Sequence, residues 1–224
     1  MTRPRKTPPH RRIFLVDDHP VTREGLARII NHEAGLEVCG EAGTAARAVA
    51  AIEQQKPDLV IIDVSLAAGA SGLELIKDLA TRHAQLAMLV LSTHDETLYA
   101  ERALRAGARG YVMKQEPIER VMQAIRKVLT GEVYLSPAMN ERMLRKMTSP
   151  HPSPLASEIE QLSDRELEVF RLLGQGRGTR QIASDLHLSI STVETYRTHI
   201  KEKLRLNRAP ELVRHAVEWV HSQA

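Results

Sequence analysis

The spacing of apolar and polar positions changes character along the 224-residue chain. Between residues 12 and 130, short apolar runs alternate with amphipathic stretches. The runs are RIFLV (12–16), LEVCGEA (36–42), DLVII (58–62), AMLVLS (87–92) and GYVMK (110–114). Their shortness and apolar density predict strands. Those at 59–62 and 87–91 are apolar on both faces, as central strands of a parallel sheet are. The stretches Pro20–Asn31, Thr44–Gln54, Ser71–His83, Asp95–Ala106 and Pro117–Thr130 instead place apolar residues at helical period. Strands alternating with helices predict βα units and an α/β fold with a parallel sheet.

The pattern then shifts. SPAMNERMLRKM (136–147) predicts a short helix capped by Ser136, with Pro137 in its first position. TSPHPSPLASE (148–158) is rich in proline and serine and reads as a linker. After Leu162 no strand pattern returns, and helices are predicted over 164–174, 179–186, 190–204 and 208–221. Ser163 can cap the first of these, with Glu166 completing a capping box. The second and third, joined by a tight turn, have the spacing of a helix-turn-helix; an ordinary small helical bundle is the alternative. The expected organisation is a basic disordered arm (1–11), an α/β domain (12–132), a helix and linker (133–158) and an all-α four-helix domain (159–224).

Composition narrows the class. No run reaches the roughly 18 apolar residues of a membrane span, so no membrane partner is expected. MTRPRKTPPHRR is basic but lacks a following apolar segment, so a secretory signal is not expected. Cys39 is the sole cysteine, which rules out a disulfide framework and suits a cytoplasmic location. The net charge of +3 is a weak hint of nucleic acid, because Arg3, Arg5, Lys6, Arg11 and Arg12 supply most of it. Without them, 26 basic residues face 28 acidic ones. The arm is a solubilising tail or a non-specific phosphate contact.

Chemistry concentrates at the carboxyl ends of the predicted strands, where ligands of open parallel sheets bind. The first strand delivers Asp17 and Asp18, the third Asp63, the fourth Ser92 and the fifth Lys114. Clustered carboxylates repel unless a cation joins them. Carboxylates with phosphate oxygens suit Mg²⁺. Asp63, alone on the central strand, is the best nucleophile for a phosphoryl group, held as an acyl phosphate. Lys114 and Ser92 would hold phosphoryl oxygens.

Residues 12 to about 130 resemble a response-regulator receiver domain, whose fold is a flavodoxin-like five-stranded parallel sheet. The resemblance implies that Asp17, Asp18 and Asp63 hold the metal and that Ser65 adds its backbone carbonyl. It implies that Asp63 is the phospho-acceptor and that Ser92 and Tyr111 form the switch pair. Many receivers follow the lysine with proline; here Gln115 follows it, and Pro117 comes two later.

In the all-α part, residues 176–208 hold seven basic residues and three acidic ones. That concentration around the second helix of the pair suits phosphate contact. At about 100° per residue, Val193, Ile200 and Leu204 share one face and should be core, with Tyr196 beside them. Glu194, Thr195 and Thr198 lie outward near the helix start and are the expected base contacts. Arg197, Lys201 and Lys203 are the expected DNA phosphate contacts. The last helix carries Leu212, Val213, Ala216, Val217 and Val220, more apolar residues than one small core needs, and part of this stripe is expected to pair two DNA-binding domains.

SDRELEVFRLLGQG and IASDLHLSISTVETYRTHIKEKL resemble the LuxR-type helix-turn-helix, and the two domains together resemble the NarL/FixJ subfamily of response regulators. The resemblance implies a phosphorylation-controlled transcriptional regulator rather than an enzyme. Its implied partners are a sensor histidine kinase, double-stranded DNA and a second copy of the phosphorylated chain, with RNA polymerase as a further candidate. One rival is a metal-dependent phosphatase with an aspartyl phosphate, which would usually carry D-x-D where this strand reads DVS. Another is a phosphorylation-independent DNA binder.

Overall fold

The computed structural model describes residues 10–66, 70–148, 159 and 161–223. The chain forms two compact units, Met1–Asn140 and Glu141–Ala224. The division falls inside a helix rather than at the proline- and serine-rich stretch, of which 149–158 lie outside the described residues.

In the first unit, β1 (Arg11–Val16), β2 (Leu36–Ala42), β3 (Leu59–Ile62), β4 (Ala87–Ser92) and β5 (Gly110–Met113) form one sheet in the order β2-β1-β3-β4-β5. Every ladder is parallel. Helices α1 (Pro20–His32), α2 (Ala45–Gln55), α3 (Gly72–Arg82), α4 (Glu96–Ala106) and α5 (Ile118–Leu129) follow the strands in turn. Thr44, Ser71 and Asp95 sit just outside their helices as caps, each side-chain oxygen accepting a backbone N–H from Arg47, Leu73 or Thr97. A cap lies one residue before the first helical position, which accounts for the difference from the predicted starts. All of β3 and β4 is buried, as their two-sided apolar pattern requires. The stripe Val121, Met122, Ala124, Ile125 and Val128 of α5 closes the core that holds Ile13, Leu15 and Leu89.

Two details depart from expectation at the sheet's margins. Arg11, expected to end a free arm, instead begins β1 one residue ahead of the predicted strand. Arg11 pairs with Asp58 at 2.9 Å, and the Arg12 N–H donates to the other Asp58 oxygen at 2.8 Å. The rest of the expected arm, residues 1–9, lies outside the described residues. On the β5 edge, Tyr111 N–H donates to Tyr134 O (3.1 Å) and Tyr134 N–H to Arg109 O (2.9 Å). This bridge covers part of β5, an otherwise open strand edge.

Helix α6 (Pro137–Thr148) begins with Ser136 Oγ accepting the Met139 N–H at 3.0 Å, the cap its sequence predicts. The second unit also holds α7 (Asp164–Gly174), α8 (Thr179–Asp185), α9 (Ile190–Lys203) and α10 (Ala209–Gln223). Ser163 and Glu166 form the full capping box at the start of α7. Helix α7 packs against α8, α9 and α10, and the Phe170 and Trp219 rings meet at 5.5 Å between centroids. Gly174 permits the close approach of α7 to α10, since a Cβ there would lie 2.3 Å from Ala216 O.

Gly72 makes the corresponding contact in the first unit. A Cβ there would lie 1.9 Å from the Asp63 carbonyl oxygen, so only glycine lets α3 start against the end of β3. Gly72→Ala should therefore destabilise the protein by about 1–3 kcal/mol through overpacking. Denaturant unfolding checks this, and an unchanged midpoint would show that the turn can relax freely.

Candidate metal centre and nucleic-acid interface

The sheet brings its strand ends level. Asp63 N–H donates to Val16 O (2.9 Å), Asp17 N–H to Ala42 O (3.1 Å) and Lys114 N–H to Ser92 O (2.8 Å). Each bond extends a ladder one residue beyond its strand and fixes where the side chain leaves the backbone. Ligand atoms of Asp17, Asp18, His19 and Asp63 consequently lie within 4.8 Å of one another. Asp17 and Asp63 are buried, at 7% and 4% exposure.

Asp63 is held on both oxygens. Ser92 Oγ donates to Oδ1 at 2.6 Å and Lys114 Nζ to Oδ2 at 2.7 Å. The same ammonium lies 2.5 Å from Asp17 Oδ2, so it bridges two carboxylates. Burial alone would lower the Lys114 pKa, but the Asp63 charge and the Asp17 hydrogen bond outweigh it and leave the ammonium above its ordinary value. One ammonium does not neutralise three carboxylates. Asp18 Oδ1 is buried without a hydrogen bond, although His19 Nδ1 approaches it at 2.8 Å without the alignment of one. A buried carboxylate oxygen without a donor, beside two further carboxylates, fits a hard divalent cation.

The two expected switch residues are connected through the β4–α4 loop. Ser92 is fully buried, and its Oγ accepts the His94 N–H at 3.4 Å. Tyr111 is also fully buried, with its hydroxyl donating to His94 O at 2.8 Å. Burial pushes the phenol far above its usual pKa, so it remains a donor. Ser65 lies two residues past Asp63, bridged to Ser71, with Oγ 2.7 Å from His94 Nε2.

Sequence reasoning missed three groups around the acids: His19, His94 and Arg23. The Arg23 guanidinium donates to the Asp17 backbone carbonyl and reaches Glu41 Oε2 at 3.3 Å. Its signal was available, since a cation one turn into the helix that follows an acid pair can reach back to the strand end.

In the second unit, Val193, Ile200 and Leu204 are buried and Tyr196 is half-buried. Glu194, Thr195 and Thr198 are exposed on α9, as the helical period predicts. The Thr195 and Thr198 hydroxyls donate to the carbonyls of Ser191 (3.0 Å) and Glu194 (3.1 Å), which leaves their methyls and oxygen lone pairs for other contacts. Two expected phosphate contacts have partners within the unit. Arg197 is half-buried and donates to Thr179 Oγ1 and, at 3.3 Å, to Glu194 Oε1, while Thr179 Oγ1 donates to that same carboxylate at 2.9 Å. It ties α8 to α9. Lys203 Nζ donates to the buried Glu166 at 2.6 Å, so its charge serves α7. Lys201 has no ion-pair partner among the described residues. The structure divides the α10 stripe, part of which is expected to pair. Leu212 and Ala216 are fully buried in their own unit, because α10 packs on α7 there. Val213 is 37% exposed, and Val217 and Val220 are half-buried.

Comparisons with known proteins agree with both halves. Residues 13–126 match the response regulator receiver domain, and residues 160–216 match the bacterial regulatory proteins of the luxR family. The oxygen regulatory protein NreC of Staphylococcus carnosus (strain TM300) is 34% identical over 210 residues, covering 92% of this chain and 97% of NreC. The solved response regulator ChrA, from a heme-sensing two-component system, is 29% identical with a TM-score of 0.51, covering 94% of this chain and 98% of ChrA. RcsB of Salmonella enterica serovar Typhimurium, bound to promoter rprA in the presence of the phosphomimetic BeF3−, shares the fold at 21% identity and a TM-score of 0.60, covering 93% and 98%. Among the described residues, no helix is long and apolar enough to cross a membrane.

The Glu166 pair carries a pH signature. Burial would raise the carboxyl, but the hydrogen bonds from Lys203 and the Ser163 backbone outweigh it and hold its pKa below the ordinary value. A depressed carboxyl stabilises the fold above its unfolded pKa of about 4.3, and the contribution is lost as pH falls through the lowered native value. Glu166→Gln should cost about 1–3 kcal/mol at neutral pH, since it weakens charge-assisted hydrogen bonds. The loss should fade below pH 4. Trp219, the single tryptophan, reports unfolding of this unit by fluorescence. An equal loss at every pH would mean that Glu166 acts only through its shape.

Proposed function

The chain belongs to the two-component response regulators that join a receiver domain to a LuxR-type DNA-binding domain and act as transcription regulators, and from that premise we propose that Asp63 is its phospho-acceptor. The observation that carries this is the convergence of Asp17, Asp18, Asp63, Ser92 and Lys114 on one sheet edge. Asp17, Asp18 and Asp63, with the Ser65 backbone carbonyl, would hold Mg²⁺. The bound ion supplies charge neutralisation for the three carboxylates and for an incoming phosphoryl group.

The donor is a phosphohistidine of a sensor kinase. A carboxylate oxygen of Asp63 forms the new P–O bond while the P–N bond breaks, and its electron pair leaves with the imidazole. Lys114 starts as counter-ion to Asp63 and Asp17 and turns to a phosphoryl oxygen as charge builds there. Ser92, already hydrogen-bonded to Asp63, is placed to follow the same oxygens. Its bond to the His94 backbone, together with that from Tyr111 to the same residue, gives a route from the acceptor to the β4–α4 surface. The phosphatase reading gains no support, because the second residue after Asp63 is a serine bonded to His94 and not an acid.

Helix α9 is the element that enters the major groove, with Glu194, Thr195 and Thr198 toward base edges and Lys201 toward phosphate. Arg197 and Lys203 hold the helix in place. Two chains on half-sites about one helical turn apart would meet through the outer side of α10 at Val213 and Val217, since Val220 packs over Gly174 of α7. RcsB, on the same fold, is bound to promoter DNA. The reading places the protein in the cytoplasm, with RNA polymerase as a further partner.

Acetyl phosphate with Mg²⁺ should add one phosphoryl group, a mass gain of about 80 Da from the chemistry of the acyl phosphate, and Asp63→Asn should abolish it. Persistent labelling of Asp63→Asn would move the acceptor elsewhere. The two classes of α9 residue predict different losses. Thr198→Ala should weaken the cognate duplex selectively, by about 1–3 kcal/mol. Lys201→Ala should weaken cognate and scrambled duplexes alike and make the salt dependence shallower by about one charge. An equal loss on both duplexes for Thr198→Ala would rotate α9 in the groove.

A further inference from the structure

Asp17 and Asp18 share one peptide plane. The Asp17 carbonyl and the Asp18 N–H belong to it, so its tilt sets the backbone angle leaving Asp17 and the one entering Asp18. Strand pairing cannot fix that tilt, because β1 ends at Val16. The Asp17 N–H is held by Ala42 O at 3.1 Å, but the carbonyl lies beyond the ladder.

Arg23 takes that carbonyl. It sits one turn into α1, its N–H bonded to His19 O at 3.2 Å, and its guanidinium donates to Asp17 O. Its Nε faces Glu41 Oε2 in β2 at 3.3 Å, and its side chain is only 18% exposed. The planar fork is thus anchored in β2 and grips the peptide between the two acids. On the other side, His19 N–H donates to Asp17 Oδ1 at 2.8 Å. Asp18, whose Oδ1 lacks a hydrogen bond, follows directly from the gripped plane.

We infer that Arg23 is a positioning residue for the metal: it fixes the Asp17–Asp18 peptide so that both carboxylates face Asp63. This rests on the reading of the acid cluster as a divalent-cation site. Two roles of the guanidinium predict opposite signs. As a mere positive charge beside the acids it weakens cation binding, so its removal tightens binding. As a clamp it strengthens binding, so its removal weakens it.

The test titrates Mn²⁺ into the full chain by electron paramagnetic resonance, which reads metal affinity without any turnover. Arg23→Met should weaken Mn²⁺ binding about tenfold, the low end of what loss of a supporting hydrogen bond costs a metal site. Its metal-free thermal midpoint should stay close to that of the parent. Arg23→Lys, which keeps the charge without the fork, should fall between the two. Glu41→Asp, which keeps the charge but shortens its reach to the fork, should show a smaller loss and serves if Arg23→Met does not fold. Unchanged or tighter binding in Arg23→Met, or in both Arg23→Lys and Glu41→Asp, overturns the positioning role and leaves the metal site standing. A parent chain that binds no Mn²⁺ overturns both.

Discussion

Three carboxylates forced together at the end of a sheet are the constraint from which the first unit's chemistry follows. Asp17, Asp18 and Asp63 bring ligand atoms within 4.8 Å of one another, in surroundings that bury two of them almost entirely. At that distance, and with reduced solvent screening, their repulsion is several times what it would be in water. The protein tolerates it because a parallel sheet fixes the strand ends and because Lys114 bridges two of the three acids. The same arrangement suits a cation or a phosphoryl group. Charge is left over, Asp18 Oδ1 lacks a hydrogen bond, and the lysine can exchange one anionic partner for another.

The strand order supplies the geometry. Because β1 lies between β2 and β3, the chain crosses to opposite sides of β1 on its first two returns. The crevice this leaves is where open α/β sheets bind ligands. Gly72 permits the start of α3 to approach the Asp63 carbonyl at the end of β3, and Arg23 donates to the Asp17 carbonyl at the end of β1. The second unit meets a similar electrostatic demand differently. Its buried Glu166 caps α7 and is satisfied by Lys203 from α9, so α9 is held by a charge that a count of basic residues would assign to DNA.

Most of the fold was legible because it rests on periodicity. Two-sided apolar runs such as LVII and LVLS have few other places to lie than the middle of a parallel sheet. The differences at Thr44, Ser71 and Asp95 are caps standing one residue outside their helices. The acid cluster was legible because strand ends in this architecture share one edge, so five positions could be brought together from sequence alone. What periodicity leaves open is partner assignment. Arg197 and Lys203 read as phosphate contacts from charge alone, and the structure adds Thr179, Glu194 and Glu166 as their internal partners. Leu212 and Ala216 look surplus until α7 covers them. In each case the helical wheel gives the face correctly, but only tertiary packing says what lies opposite.

In the proposed cation-dependent phosphoryl site, Lys114 is a temporary counter-ion. The most direct measurement is a crystal structure of the full chain with Mn²⁺ and beryllofluoride, using the anomalous signal of the metal. The expected result is one metal peak among Asp17, Asp18 and Asp63, beryllofluoride on Asp63, and Lys114 Nζ moved from Asp17 to a fluorine. A chain crystallised under those conditions with Lys114 still bridging Asp17 and Asp63, and no metal peak beside them, would contradict it.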